Sequence, residues 1–370
     1  MRPPISGGYI WERLVLSWQR YRTNLVASKV VENILESSEF FLTKLNVSSG
    51  FLEFLRTDIA TLQRASFMDG RSQLSVDKNM YTVSLSEAMS WYEARGSAWN
   101  QSRLIFHVAF CGSTLLSRVL DTTGSVFVYK EPQVLTDLEV VKRQGGTFGP
   151  GGHAWEQVLG LVLSQFNSPV DAACARVIKP SNLMNSIVPD ICGLSDNNRA
   201  VFLAMEPRSF LIAVLRGGSN RVSYIFRVLE NLGATVPEIG RIVSNMNLEG
   251  EGELSLVARK ILLAYALQMH IFSQATASLP NDRYYQLSYE QLVESPHEHV
   301  GKVSSYLDLQ LNPQQISRNI DSTFELHSKV NDRRFDSHTA AEVSVQVSEH
   351  YGEVIDEALK WYWQLDFSEL

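Results

Sequence analysis

Chemistry is first offered by the segment Ile105-Phe106-His107-Val108-Ala109-Phe110-Cys111-Gly112-Ser113-Thr114-Leu115-Leu116. An apolar run of strand length enters a short loop holding Gly112 and leaves as a helix opened by two hydroxyl residues. Such an arrangement suits an anion. The first backbone N–H groups of a helix converge on one spot, the helix dipole favours negative charge there, and glycine permits close approach. Ser113 and Thr114 add hydroxyl donors, and Cys111 and Leu115 belong to the same loop and first turn. The same residues also fit an ordinary strand–turn–helix with Ser113 as N-cap, so the loop alone leaves both readings open. Lys130 and Lys179 each close an apolar run of strand length, and in parallel α/β sheets the carboxyl ends of strands face the ligand crevice. Two lysines at two such ends, beside an anion loop, point to a phosphate-type group. Cys111 at a helix start invites a lowered thiol pKa, yet no histidine pairs with it in the sequence. His107 is expected to be packed, and His297-Glu298-His299 sets its two rings apart on a helix start, so no metal site is implied.

The elements that must position these residues alternate from residue 103 onward. Strand-like runs at Leu104–Ala109, Val126–Lys130, Ala175–Lys179, Ala200–Met205 and Tyr284–Ser288 are separated by helical stretches. The helical stretches are Ser113–Asp121, Val134–Arg143, Ala154–Phe166, Leu183–Cys192, Arg208–Leu215 and Leu254–Ser278. That order predicts a parallel sheet flanked by helices. Residues 1–100 read differently. Apolar residues recur at helical spacing from Tyr9 through Leu45 and again over Phe51–Leu62, and Ser84-Leu85-Ser86-Glu87 is a capping box ahead of a helix ending near Gly96. The reading is a helical extension over 1–100 without a catalytic constellation, followed by an α/β domain over 101–370. The glycine-rich stretch Gln144–Gly152 reads as a loop.

The 370 residues carry a formal net charge of −7, which argues against a nucleic-acid binder. Cys111, Cys174 and Cys192 are too few for a disulfide scaffold and fit no zinc spacing, so reduced thiols and a cytoplasmic location are expected. No secretory signal is apparent at Met1-Arg2-Pro3-Pro4. The longest uncharged stretch, Ile261–Leu279, is interrupted by Gln268, His270, Ser273, Gln274 and Thr276, which favours a buried helix over a membrane span. Neither a Walker lysine nor a magnesium-binding aspartate after a strand is visible, which counts against an ordinary ATPase.

Four segments in order give the chain a resemblance to the sulfotransferases. Cys111-Gly112-Ser113-Thr114-Leu115-Leu116, followed by Arg118, resembles their phosphosulfate loop. Tyr129-Lys130-Glu131-Pro132 resembles the segment in which carbohydrate and tyrosylprotein sulfotransferases place a glutamate base. Glu206-Pro207-Arg208 resembles their Arg-Asp-Pro-Arg segment, and Tyr289-Glu290-Gln291-Leu292 their Tyr-Glu-x-Leu segment. The resemblance spans roughly residues 103–310. It implies a P-loop-type α/β fold and a nucleotide-type donor, 3′-phosphoadenosine 5′-phosphosulfate (PAPS) or another phosphorylated nucleotide. The acceptor it implies is a hydroxyl or amine, and a catalytically silent nucleotide- or ligand-binding protein of the same fold is the other reading. The resemblance further implies Gly112, Ser113 and Thr114 at the 5′ phosphosulfate, Lys130 for transition-state charge, Glu131 as general base, and Arg208 with Lys179 as supporting cations. The basic cluster Lys329, Arg333 and Arg334 would close the nucleotide. For Glu131 a first-turn acid ahead of the helix after Pro132 is the other reading. Three positions depart from the family. Phe110 stands where a loop Lys or Arg belongs, and Met205 and Ala213 stand where an Arg and a Ser grip the 3′-phosphate.

Overall fold

The computed structural model describes residues 29–74, 79–96, 101–146, 148, 152–167, 174–235, 252–324 and 337–365. Five strands form the sheet that carries the site: β4 (Arg103–His107), β5 (Val126–Lys130), β6 (Ala175–Lys179), β7 (Arg199–Ala204) and β8 (Tyr284–Ser288). Their order is β5-β6-β4-β7-β8 and every pairing is parallel. All their carboxyl ends therefore lie along one edge, with β4 in the centre. β4, β5, β6 and β7 are buried on both faces, so they read as continuous apolar runs, whereas the edge strand β8 buries only Leu287. Leu104, Ile105, Val126, Val128, Val177 and Ile178 are all inaccessible to solvent.

Helices follow the strands as α4 (Ser113–Leu120), α5 (Gln133–Arg143), α6 (Trp155–Asn167), α7 (Val188–Gly193), α8 (Pro207–Leu215) and α9 (Gly218–Gly233). After these come α10 (Glu253–Ala277), α11 (Tyr289–Glu294), α12 (Pro296–Tyr306), α13 (Pro313–Phe324) and α14 (Ser337–Tyr362). By length and composition α10 could cross a membrane. Here Ile261, Leu262, Leu263, Ala264 and Leu267 are fully buried in the protein interior, and the helix lies against α9 and α14. The segment expected as one helix over Leu183–Cys192 is instead a 3-10 turn (Asn182–Ile187) running into α7, with Pro189 in the first turn of α7.

The N-terminal layer corrects the helical expectation. The described residues hold a helix over 29–36 (α1), α2 (Ile59–Arg64) and α3 (Leu85–Arg95). Phe40–Asn46 and Phe51–Arg56, expected as helix, are strands β1 and β2, and with β3 (Met80–Ser84) they form an antiparallel meander. The reason is local. Gly50 at φ +69° closes the β1–β2 turn, and Leu52 and Phe54 alternate inward between Phe51, Glu53 and Leu55, the period of a half-buried strand. The predicted capping box at Ser84 forms, with Glu87 N donating to Ser84 Oγ at 3.2 Å. The meander docks on the main sheet: Leu45 N donates to Asp137 Oδ2 of α5 at 3.0 Å, and Phe41 stacks on Tyr129 with ring centroids 6.1 Å apart. One hydrophobic core joins Ile34 of this layer to Ala358 of α14.

Candidate active site

The loop after β4 turns twice through left-handed backbone, at Phe110 (φ +62°) and Gly112 (φ +79°). Gly112, not Ser113, is the N-cap of α4, and no side chain caps this helix. Its start therefore lacks the internal partner that a Ser or Asp would give the first N–H groups. A Cβ on Gly112 would stand 2.9 Å from Cδ2 of Tyr289, so the first residue of α11 lays its ring across the loop. The Cys111 thiol is buried and donates to Val108 O at 3.0 Å, a packed group rather than a nucleophile. Ser113 and Thr114 are buried and Leu115 is half-buried.

Beside the loop lies a buried charge cluster centred on Glu131, itself in left-handed backbone at φ +58°. For a residue with a side chain that conformation is strained and is kept only where the surroundings over-determine it. Here Glu131 N donates to Lys179 O at 2.7 Å. The carboxylate takes an ion pair from Lys179 Nζ on Oε1 and another from Arg71 Nη2 on Oε2, the latter at 2.6 Å. His107 Nε2 lies 3.9 Å from Oε1. Burial would raise the Glu131 carboxyl, but the charges of Lys179, His107 and Arg71 outweigh it and hold it at about 2. His107 is pushed down to about 3 by burial and by Lys179, against the pull of Glu131. Its two ring nitrogens face the carbonyls of Val108 and Pro180 at 2.9 and 3.1 Å. It is packed, as expected, but it also belongs to the cluster.

The cluster and the loop are bridged by Tyr224 of α9. Its ring meets Phe110 edge-on at 5.9 Å, its hydroxyl donates to Asn182 Oδ1 at 2.6 Å, and its pKa is raised by burial and then by the charge of Glu131. Arg221, one turn earlier, sits 4.7 Å over the face of Phe110 and donates to Ala213 O. Burial and the nearby charge of Arg216 lower its pKa. A guanidinium from α9 thus lies against both Phe110 and the Ala213 carbonyl.

Lys130, expected to face the transferring group, has other partners. Its ammonium, buried at the end of β5, bonds Asp121 Oδ2 and Gln63 O, both at 2.7 Å. Burial pushes Lys130 down and Asp121 up, each against its partner's pull. This pair braces the far end of α4 against β5 and the N-terminal layer. K130M is expected to cost about 3–5 kcal/mol, because it leaves Asp121 buried without a counter-charge, and K130M/D121N should recover much of it. Sulfate affinity should be unchanged in both variants, measured by calorimetry beside urea denaturation. Arg208 pairs with Asp356 of α14 at 2.6 Å, both near half exposure, a surface contact. Met205 and Ala213 are buried, and the Met205 carbonyl accepts from Tyr265 at 2.8 Å. Lys329, Arg333 and Arg334 lie outside the described residues.

Structure thus brings together Gly112, Glu131 and Lys179 through their neighbours, and separates out Lys130 and Arg208. Sequence reasoning missed Arg71, Tyr224 and Arg221. Asp69-Gly70-Arg71 reads only as a turn, and Arg221 and Tyr224 lie on a helix that carries none of the four matched segments.

No protein-family model matches the chain, and no characterised protein matches it in sequence. Among solved structures it is similar to the sulfotransferase domain from the curacin biosynthetic pathway, at 13% identity over 68% of this chain and 98% of that one, with a TM-score of 0.39. The sulfotransferase STF1 of Mycobacterium tuberculosis gives 12% identity, 72% and 82% coverage and a TM-score of 0.36. Retinol dehydratase, solved with retinol and PAP, gives 12%, 92% and 95%, and 0.34.

Proposed function

We propose that this protein transfers a sulfuryl group from a PAPS-type nucleotide to a hydroxyl or amine acceptor. The observation that carries this reading is the juxtaposition of an α4 start without a side-chain cap, at the carboxyl end of the central strand, with the buried Glu131–Lys179 pair. In the reaction the acceptor heteroatom attacks sulfur, and its proton passes to a Glu131 oxygen as the new heteroatom–sulfur bond forms. The bond from sulfur to the bridging phosphate oxygen breaks, and that oxygen leaves with the electron pair as the nucleotide 5′-phosphate. The α4 N-terminus and Gly112 hold the phosphosulfate, Lys179 balances charge in the transition state, and Arg221 supplies the cation that Phe110 lacks.

A second reading keeps the fold and the loop but uses another phosphorylated donor. It is favoured by the apolar, buried Met205 and Ala213. Loss of two polar contacts to one phosphate removes about 3 kcal/mol or more, roughly a hundredfold in affinity. Calorimetry with 3′-phosphoadenosine 5′-phosphate and adenosine 5′-phosphate is therefore expected to give affinities closer than that ratio, with R221A weakening both by about tenfold or more. A preference above about a hundredfold for the 3′-phosphorylated form would show that other cations replace the missing pair. Absence of binding by either nucleotide and by sulfate would overturn the anion-loop reading.

A further inference from the structure

Arg71 lies outside every segment that resembles a sulfotransferase, yet it touches the carboxylate at the centre of the site. Its segment leaves α2 and crosses the carboxyl end of β5. Met68 N donates to Lys130 O at 2.6 Å and Gln133 N to Met68 O at 3.3 Å, while Arg118 Nη2 donates to Ser66 Oγ at 2.8 Å. Anchored there, Arg71 spans Asp69 Oδ2 and Glu131 Oε2, both at 2.6 Å, with its guanidinium 3.6 Å over the Phe67 ring. Lys179 Nζ is 5.9 Å from the same ring. The charged and titratable groups facing Glu131 are Lys179 from β6, His107 from β4, Tyr224 from α9 and Arg71. Lys179 and His107 are 1% and 4% exposed, Arg71 50%. The cation on Oε2 is thus the one that meets water.

Resting on the transferase reading, we propose that Arg71 is a positioning residue supplied by the N-terminal layer, fixing the solvent-side edge of Glu131 toward the acceptor. Lys179 holds Oε1 from within the sheet and Arg71 holds Oε2 from the mouth, so the carboxylate cannot rotate about its strained backbone without losing one pair. Asp69 and Phe67 hold the guanidinium in turn. The layer read from sequence as lacking chemistry then completes the site, and acceptors reach Glu131 past Phe67 and Arg71.

The test uses the full chain with carbon-13 carboxyl-labelled glutamate, the Glu131 signal being assigned by its loss in E131Q. In R71Q the Glu131 titration midpoint should rise by about one pH unit or more, and R71K should restore most of it. An unchanged midpoint in R71Q overturns the proposal, whatever the variant does to stability. With PAPS and an acceptor that the wild-type protein turns over, R71Q should lower kcat and leave the donor KM within about twofold. A donor KM that moves as much as kcat would likewise overturn it. If the midpoint shifts in R71Q but the wild-type chain transfers no sulfuryl group, Arg71 still sets the charge state of Glu131, while its role toward an acceptor falls together with the transferase reading.

Discussion

The E131Q variant is expected to lose about 10²- to 10⁴-fold in turnover and about 3 kcal/mol or more in stability. The two losses have different origins. Turnover falls because an amide cannot take the acceptor proton. Stability falls because Lys179, 1% exposed, loses its buried counter-ion. E131Q/K179M should therefore recover stability, measured by urea denaturation, without recovering turnover. Acid dependence gives an independent check. The Glu131 carboxyl, held at about 2 against an ordinary 4.5, contributes stability that is complete above 4.5 and is lost as pH falls from 4.5 toward 2. His107, held at about 3 against 6.5, is neutral in the fold, so its contribution is complete above 6.5 and is lost as pH falls toward 3. E131Q should flatten the lower part of the acid denaturation curve and H107N the upper part.

G112A should nearly abolish sulfate and nucleotide binding. Alanine at φ +79° costs about 1–2 kcal/mol in backbone strain alone. Its Cβ would also meet the Tyr289 ring at 2.9 Å, so either the ring or the start of α4 must shift. The two causes separate experimentally. In G112A/Y289A the collision is gone but the strain stays, so stability should return in part. Anion affinity, read by calorimetry with sulfate, should stay at least tenfold below wild type if the loop's backbone geometry holds the anion. Full recovery in the double variant would show that the ring alone was at fault.

Strands β4 to β7 of the parallel sheet were legible because burial on both faces leaves apolar runs, with Pro132 and Pro180 soon after Val126–Lys130 and Ala175–Lys179. Val126–Lys130, Ala175–Lys179 and Tyr284–Ser288 have the bounds read from the sequence. The meander was not, because Phe40–Asn46 and Phe51–Arg56 carry enough leucine and phenylalanine to satisfy a helical stripe, and only the Ser49-Gly50 turn argues otherwise. Within the site, the glycine loop stood out by its strand–glycine–helix pattern, and Glu131 was reached only through the resemblance of Tyr129-Lys130-Glu131-Pro132. Arg71 and Arg221 could not be found, since their roles come from tertiary approach to Glu131 and Phe110 and leave no trace in their own neighbours. Lys130 shows the converse. Its place at a strand end was read correctly, but a partner nine residues back, Asp121, decides what its charge does.

The bracing of α4 also sets an order in time. Its last turn is tied by Asn319 of α13, whose Nδ2 donates to Val119 O at 2.8 Å across 200 residues of chain. A ribosome adds about 5–20 residues per second, so Asn319 is polymerised about 10–40 s after Val119. For that interval the last turn of α4 in a nascent chain lacks this tie and leans on β5 and the N-terminal layer, through the Lys130–Asp121 pair and the Arg118–Ser66 hydrogen bond.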